Sequence, residues 1–504
     1  MLARSRFILL LLFGVVLAIL SYSLQYLQLV PVSPAGGERS GGKNRKRLNP
    51  VLLTAPPEPD PVAESYHYCN LPNRTQHSWE GHSPVNHKLL SIHVMIRHGD
   101  RYPLYSIPMT KRPAIDCTLS PKKNPSHPLL SSFINHMSQS GRAHWDASLS
   151  SLPRLPNHST CEMGELTQTG VVQHLRNGAV MHQAYFSSQQ VASSVVSQGQ
   201  LWLESTGKSR TLQSALALLY GLLPDFSWPR LSVRQQWNTL FCGAACDCPA
   251  RNRYLELEQR RQYHQRAADT ELDQTYVAMA AALGVTPRVL RASNPVDALL
   301  CHLCHNLAFP CAAGARGNAS CLTLQHLAVI RRQQGEDERA RRAAGLYHRY
   351  AVLAAHPYLN TTAARMERAT RAARQPFVFM ASAHDITMAP LLSALGLEEA
   401  GFPSFAARLV FELWRGPEDK RAKERGRGSD RGPGERKKVE PAFFVRVLYD
   451  GEDLTFKTSF CRAHDRHGDT PMCPLGKFLS FVRKDIFRVI NATSYQQACH
   501  ARVL

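Results

Sequence analysis

The heptapeptide Arg97-His98-Gly99-Asp100-Arg101-Tyr102-Pro103 sets one imidazole between guanidinium groups on either side. Two further residue sets could complete a reaction centre with it: Lys208 with Arg210, and His384-Asp385. Guanidinium groups grip the nonbridging oxygens of a phosphate in bidentate fashion, and a neutral imidazole can attack phosphorus in line to give a phosphohistidine. The departing alkoxide then needs a proton, which a carboxylic acid on the opposite side can give before it deprotonates the hydrolytic water. Three guanidiniums, two imidazoles and one carboxylate are therefore the side-chain set that phosphomonoester cleavage requires.

For these residues to meet, the chain must bring three distant segments to one edge. Lys88 to Ile96 reads as a buried strand ending at Arg97. Gln200 to Glu204 leads through Ser205-Thr206-Gly207 into the helical RTLQSALALLYGLL, and Pro376 to Ala381 runs into HDITMAPLLSALG. Repeated strand–turn–helix units imply a mostly parallel sheet covered by helices, whose ligands bind beyond the carboxyl ends of the strands, where helix N-termini favour an anion. Residues 250–283 and 322–356 carry apolar residues at helical spacing and read as a cap, placed at about 225–356. A lone Arg-His-Gly at a strand end would be commonplace in a core; the full heptapeptide with two further sets in order points to a phosphate site. Mutases share such sites, and the acid of the His-Asp pair favours hydrolysis.

The run RHGDRYP resembles the RHGxRxP signature of the histidine acid phosphatases, a branch of the histidine phosphatase superfamily. His384-Asp385 is similar to the distal HD pair of that branch, and Ser209-Arg210-Thr211-Leu212 to its intervening arginine turn. The resemblance spans roughly residues 89–489 and implies an α/β fold, a mostly parallel sheet flanked by helices with a mainly helical cap. It implies His98 as nucleophile, Arg97, Arg101 and Arg210 as phosphate clamp, His384 as a hydrogen-bond donor to phosphate and Asp385 as proton donor, with no metal and no cofactor. A closer likeness within the branch, carried by the N-terminal apolar run, CEMGELTQTG at 161–170 and FAARLVFELW, implies a Golgi enzyme. Such an enzyme takes phosphate from the 2-position of xylose in the glycosaminoglycan–protein linkage region during proteoglycan biosynthesis. The phosphorylated linkage glycan is then the partner, with glycosaminoglycan-synthesis enzymes as associates. A basic insertion at 416–440 and a cysteine-rich cap depart from the simpler members. Inositol polyphosphates, phosphoproteins and a catalytically silent glycan-binding role stay open as alternatives.

The chain has 504 residues, of which 44% are hydrophobic, enough for one large domain with appendages. Its 60 Lys and Arg against 39 Asp and Glu give +21, a field that draws anionic partners. Residues 7–30 hold no charge and are long enough to span a bilayer, so the reading is a cytosolic tail 1–6, a signal-anchor 7–30, a Pro/Gly-rich stem 31–62 and a phosphatase domain 63–504. A cleaved signal peptide is the rival reading. Charge counting around the span would put the domain in the cytosol. Thirteen cysteines, all beyond the span, and five Asn-x-Ser/Thr triplets opened by Asn73, Asn157, Asn318, Asn360 and Asn491 place it instead in the secretory lumen, which excludes nucleic acid. Type II membrane topology follows. An odd cysteine count leaves at least one thiol free or paired between chains. Cys301-His302-Leu303-Cys304-His305 has the form of a zinc half-site, although disulfides are expected in an oxidising lumen. Residues 416–440, between two strand-like runs, read as a disordered loop tip.

Overall fold

The computed structural model describes residues 60–71, 78–82, 86–139, 144–187, 201–313, 321–371, 377–417, 442–465 and 471–503. The expected anchor at 7–30, nearly all of the stem, Asn73, Asn318 and nearly all of the 416–440 segment lie outside them. Among the described residues, no helix is long and apolar enough to cross a membrane. Residues 59–504 group as one compact unit.

The strands in chain order are β1 (Lys88–Arg97), β2 (His144–Trp145), β3 (Leu201–Thr206), β4 (Leu231–Gln236), β5 (Val378–Ala383), β6 (Arg408–Arg415), β7 (Phe443–Tyr449), β8 (Glu452–Asp453) and β9 (Cys473–Pro474). They form one sheet in the order β2-β4-β3-β5-β1-β6-β7-β8, with β9 also on β7. From β2 through β1 every pairing is parallel; from β1 through β8 every pairing is antiparallel. The mostly parallel sheet expected from the sequence is thus parallel in the half that carries the motifs. The segment expected to open the cap at about 225 first supplies β4 to this sheet, and the α-helices after it start at Pro249.

The helices that matter below are α1 (Pro61–Cys69), α2 (Leu130–Ser138), α3 (Gln168–His182), α4 (Ser209–Leu222), α5 (Pro249–Ala267), α6 (Thr270–Leu283), α7 (Pro295–Cys304), α8 (Leu324–Ala344), α9 (Leu346–Arg371), α10 (Asp385–Ala394) and α11 (Leu475–Arg483). Side chains of β1 alternate between two cores, as a strand's period of two requires. Ile92, Val94 and Ile96 join the core under α2, α3 and α4, while Met95 joins the one under α9, α10 and α11. Two helical layers thus sandwich the sheet, the architecture expected from the sequence. A third cluster unites α1, α6, α7 and α8 with Phe405, and the Cys69–Cys304 disulfide ties α1 to α7.

Strands β3 and β5 run into α4 and α10 as read from the sequence; β1 does not run into a helix. Its end enters a loop, and the helix that packs there is α3, seventy residues further on in sequence. The approach is so close that a Cβ on Gly170 would lie 2.3 Å from the Asp100 carbonyl oxygen, and one on Gly99 2.6 Å from the Gly170 Cα. Thr167 caps α3 by accepting from the Gly170 N–H. The helix α9 runs on through Pro357, past the expected cap boundary at 356, and buries Leu359, Ala363 and Met366 in the main core.

Because both partners in that contact are backbone, Gly170→Ala must move the loop that holds His98. Overpacking of this kind costs about 1–3 kcal/mol. The variant should melt a few degrees below the parent by calorimetry and lose kcat; an unchanged Tm with full kcat would show that the contact relaxes freely.

Candidate active site

All six residues singled out in the sequence converge at the carboxyl edge of the parallel half of the sheet. His98 follows β1 with only 3% of its surface exposed; its N–H bonds the Ala383 carbonyl at 3.1 Å, and its carbonyl accepts from Ala406 N–H at 3.1 Å. The ring Nδ1 lies 2.9 Å from the Gly99 carbonyl oxygen. A carbonyl can only accept, so Nδ1 carries the proton and Nε2 keeps its lone pair. Burial, then Arg210, Arg97, Arg101 and His384, hold the His98 pKa well below the ordinary imidazole value, so the ring is neutral and nucleophilic.

Arg97 is wholly buried. Its guanidinium donates to Pro403 O at 2.7 Å and to the Tyr68 hydroxyl at 2.6 Å, lies 3.1 Å from Asp385 Oδ2, and sits over the rings of Phe405 (4.4 Å) and Tyr68 (4.7 Å). Arg101 makes a bidentate pair with Asp297, at 2.8 and 3.1 Å. Arg210, in the first turn of α4, has no hydrogen-bond acceptor for its buried Nε, and its pKa is pushed down to about 10 by burial first and then by neighbouring Arg101. The Nε of Arg97 and Arg101 is likewise buried without an acceptor. Three guanidiniums facing two carboxylates, with their buried Nε groups unpaired, favour an anion among them.

His384 is the N-cap of α10, and its Nε2 lies 3.0 Å from the Thr206 hydroxyl. Burial and then Arg210 lower its pKa to about 4. The Thr211 hydroxyl can donate to Lys208 O (2.8 Å) while accepting from Ser205, which leaves Thr206 free to donate to His384 Nε2. In that arrangement Nδ1 bears the hydrogen and can donate to an anion. Asp385, half-buried in the first turn of α10, accepts the Ile386 N–H at 2.7 Å. Burial works to raise its pKa, but Arg97, that N–H, Arg101 and His384 outweigh it and hold the carboxyl below its ordinary value. Lys208 is exposed at the N-cap of α4.

Sequence reasoning did not find Asp297, Tyr68 or Phe405. An aspartate in the first turn of a helix reads as a favourable charge at the positive end of the dipole, and nothing marks its reach to Arg101. The Cys301–His305 motif is not a zinc half-site: Cys304 is bonded to Cys69, and His302 bonds the Ala308 carbonyl. His305 Nε2 lies 2.7 Å from buried Asp100 Oδ2, which also accepts from Thr167. The free thiol is buried Cys301; the other twelve cysteines form six disulfides, as the odd count requires. Asn157, Asn360 and Asn491 are exposed.

A sheet-edge cradle of guanidiniums around a neutral imidazole, with an acid alongside, defines a phosphomonoester hydrolase. Residues 88–450 match the histidine phosphatase superfamily (branch 2), and the chain belongs to that family. It is 64% identical to the 2-phosphoxylose phosphatase 1 of Danio rerio over 515 aligned residues, covering 100% of both chains. It is 50% identical to the 2-phosphoxylose phosphatase 1 of Homo sapiens over 503 residues, covering 99% of each. The crystal structure of the phytase from D. castellii aligns over 88% of both chains with 14% identity and a TM-score of 0.43.

Asp297 competes with any bound anion for Arg101. Asp297→Asn should therefore tighten inhibition by inorganic phosphate roughly tenfold, read from its Ki; weaker inhibition would show that the carboxylate supports the site instead. Since both imidazoles of the free enzyme protonate only below the ordinary range, kcat/KM should show no enzyme imidazole limb on acidification from neutrality to about pH 5. A falling limb centred near the ordinary imidazole pKa would contradict this.

Proposed function

We propose that this chain removes the 2-phosphate from xylose in the glycosaminoglycan–protein linkage region, working through a phosphohistidine at His98. We further propose that it acts from a Golgi membrane anchor at 7–30, with its catalytic domain in the lumen. One observation carries the chemistry: the neutral imidazole whose Nδ1 is tied to Gly99 inside three guanidiniums and next to Asp385. Support for the substrate comes from the full-length relatives named for phosphoxylose, and the +21 charge suits an anionic glycan. The six disulfides and three exposed sequon asparagines support the lumen.

Arg97, Arg101 and Arg210 hold the nonbridging oxygens, and His384 donates to one of them. Nε2 of His98 attacks phosphorus as the bond to the sugar oxygen breaks, and Asp385 protonates that oxygen. Water then attacks the phosphohistidine, Asp385 takes the proton, and the P–N bond breaks to release phosphate and restore His98. The carboxylate must be protonated for the first step, whereas Arg97 beside it favours the ionised form. A bound phosphate supplies the missing link: its negative charge on the same guanidinium removes the attraction that keeps Asp385 ionised and favours the acid form.

Purified full-length protein should release phosphate from xylose 2-phosphate in a xyloside faster than from inositol hexakisphosphate or a phosphoserine peptide. The reverse preference would reassign the substrate, and binding without release would make the chain a silent glycan binder. Asp385→Asn should lower kcat on the xyloside by about 10²–10⁴-fold and far less on an activated aryl phosphate; equal losses would identify another proton donor.

A further inference from the structure

The alkoxide that Asp385 protonates belongs to the leaving group, so the substrate's organic part must lie beside Asp385. Two large apolar side chains open to solvent are candidates for that place: Ile386, next to Asp385 in sequence, and Trp237, at the end of β4. Ile386 follows Asp385 directly and is 56% exposed, although it lies in the first turn of a helix whose neighbours are buried. Trp237 is 81% exposed, more than any other large hydrophobic residue among those described. It is the first residue after β4, and Gln236 before it lies level with Thr206 of the adjacent strand β3, the residue whose hydroxyl contacts His384. Adjacent strands are about 4.8 Å apart. The loop then reaches α10, where the Thr239 carbonyl accepts from the Thr387 hydroxyl at 2.5 Å.

This loop is held in place at several points. The Asn238 side-chain oxygen accepts from Leu240 and Cys242 N–H at 3.0 and 3.3 Å, Phe241 is buried edge-on to Tyr358, and Cys242 is disulfide-bonded to Cys246. A tryptophan left in water on an anchored loop contributes little to stability, and its ring face is free to meet a ligand. A pyranose presents a flat array of C–H groups on its ring face, which suits an indole better than any other side chain.

The geometry points to Trp237 and Ile386 as the platform on which the leaving pyranose rests, fixing the sugar oxygen at Asp385. This rests on the reading of the substrate as a sugar phosphate. Trp237 is thereby a specificity-determining residue, acting on substrates according to their ring and not on the phosphate itself.

The test compares full-length wild type, Trp237→Ala and Trp237→Phe on xylose 2-phosphate, glucose 6-phosphate and glycerol phosphate, with light scattering on each protein. Trp237→Ala should lose roughly tenfold in kcat/KM on the pyranose esters, chiefly through KM, with a markedly smaller loss on glycerol phosphate, and Trp237→Phe should recover most of it. An unaltered pyranose-to-glycerol ratio, or a wild type with no pyranose preference, overturns the platform. So does a change of oligomeric state in Trp237→Ala, which would assign the indole to a contact between copies. The parent reading fails separately, if wild type prefers glucose 6-phosphate to xylose 2-phosphate.

Discussion

Positive charge buried around a single uncharged imidazole is the constraint from which the rest of this structure follows. Removing a guanidinium from water costs several kcal/mol, and Arg97 is wholly buried. The cost is offset by a tyrosine hydroxyl, a proline carbonyl, two aromatic faces and a half-buried carboxylate. They come from three places in the chain: Tyr68 from α1, Pro403 and Phe405 from the loop before β6, and Asp385 from α10. The parallel edge of the sheet alone does not neutralise its own arginines; the added helices complete it. The Cys69–Cys304 disulfide, which joins the helix holding Tyr68 to the helix holding Asp297, links the partners of two clamp arginines.

The same charge moves two pKa values the same way, with opposite consequences for the chemistry. With burial as the larger cause, it lowers the His98 pKa, which keeps the ring a nucleophile, and against burial it lowers the Asp385 pKa, which works against its service as an acid. Phosphate resolves the conflict in the proposed mechanism, because only with the dianion in place does the field around Asp385 weaken. Asp297 pairs with Arg101 as Asp385 pairs with Arg97, so two of the three clamp guanidiniums each face a carboxylate.

Much of this was legible from the chain. Strand periodicity placed β1, β3 and β5, and the residues at their ends, because a buried strand with chemistry at its carboxyl end leaves a strong local pattern. The layered α/β class followed from the same units. Partners brought in over long separations leave no such trace. Asp297 reads as an ordinary helix-start aspartate, Tyr68 as a residue before a cysteine, and the contact of Gly99 with Gly170 as two unrelated glycines. The Cys301–His305 motif has zinc-like spacing, but an oxidising lumen favours disulfides, and the fold sends Cys304 to a disulfide and His305 to Asp100. The antiparallel half of the sheet was visible only as two strand-like runs around 416–440, with nothing local to fix their direction.

The account's central claim is covalent chemistry at one ring nitrogen. Full-length enzyme mixed with ³²P-labelled substrate and quenched within one turnover in alkali, where phosphohistidine survives, should yield a peptide carrying the label on His98, and the label should chase off with unlabelled substrate. Turnover of the same sample with no phosphorylated peptide at any quench time, or with the label on another residue, would contradict it.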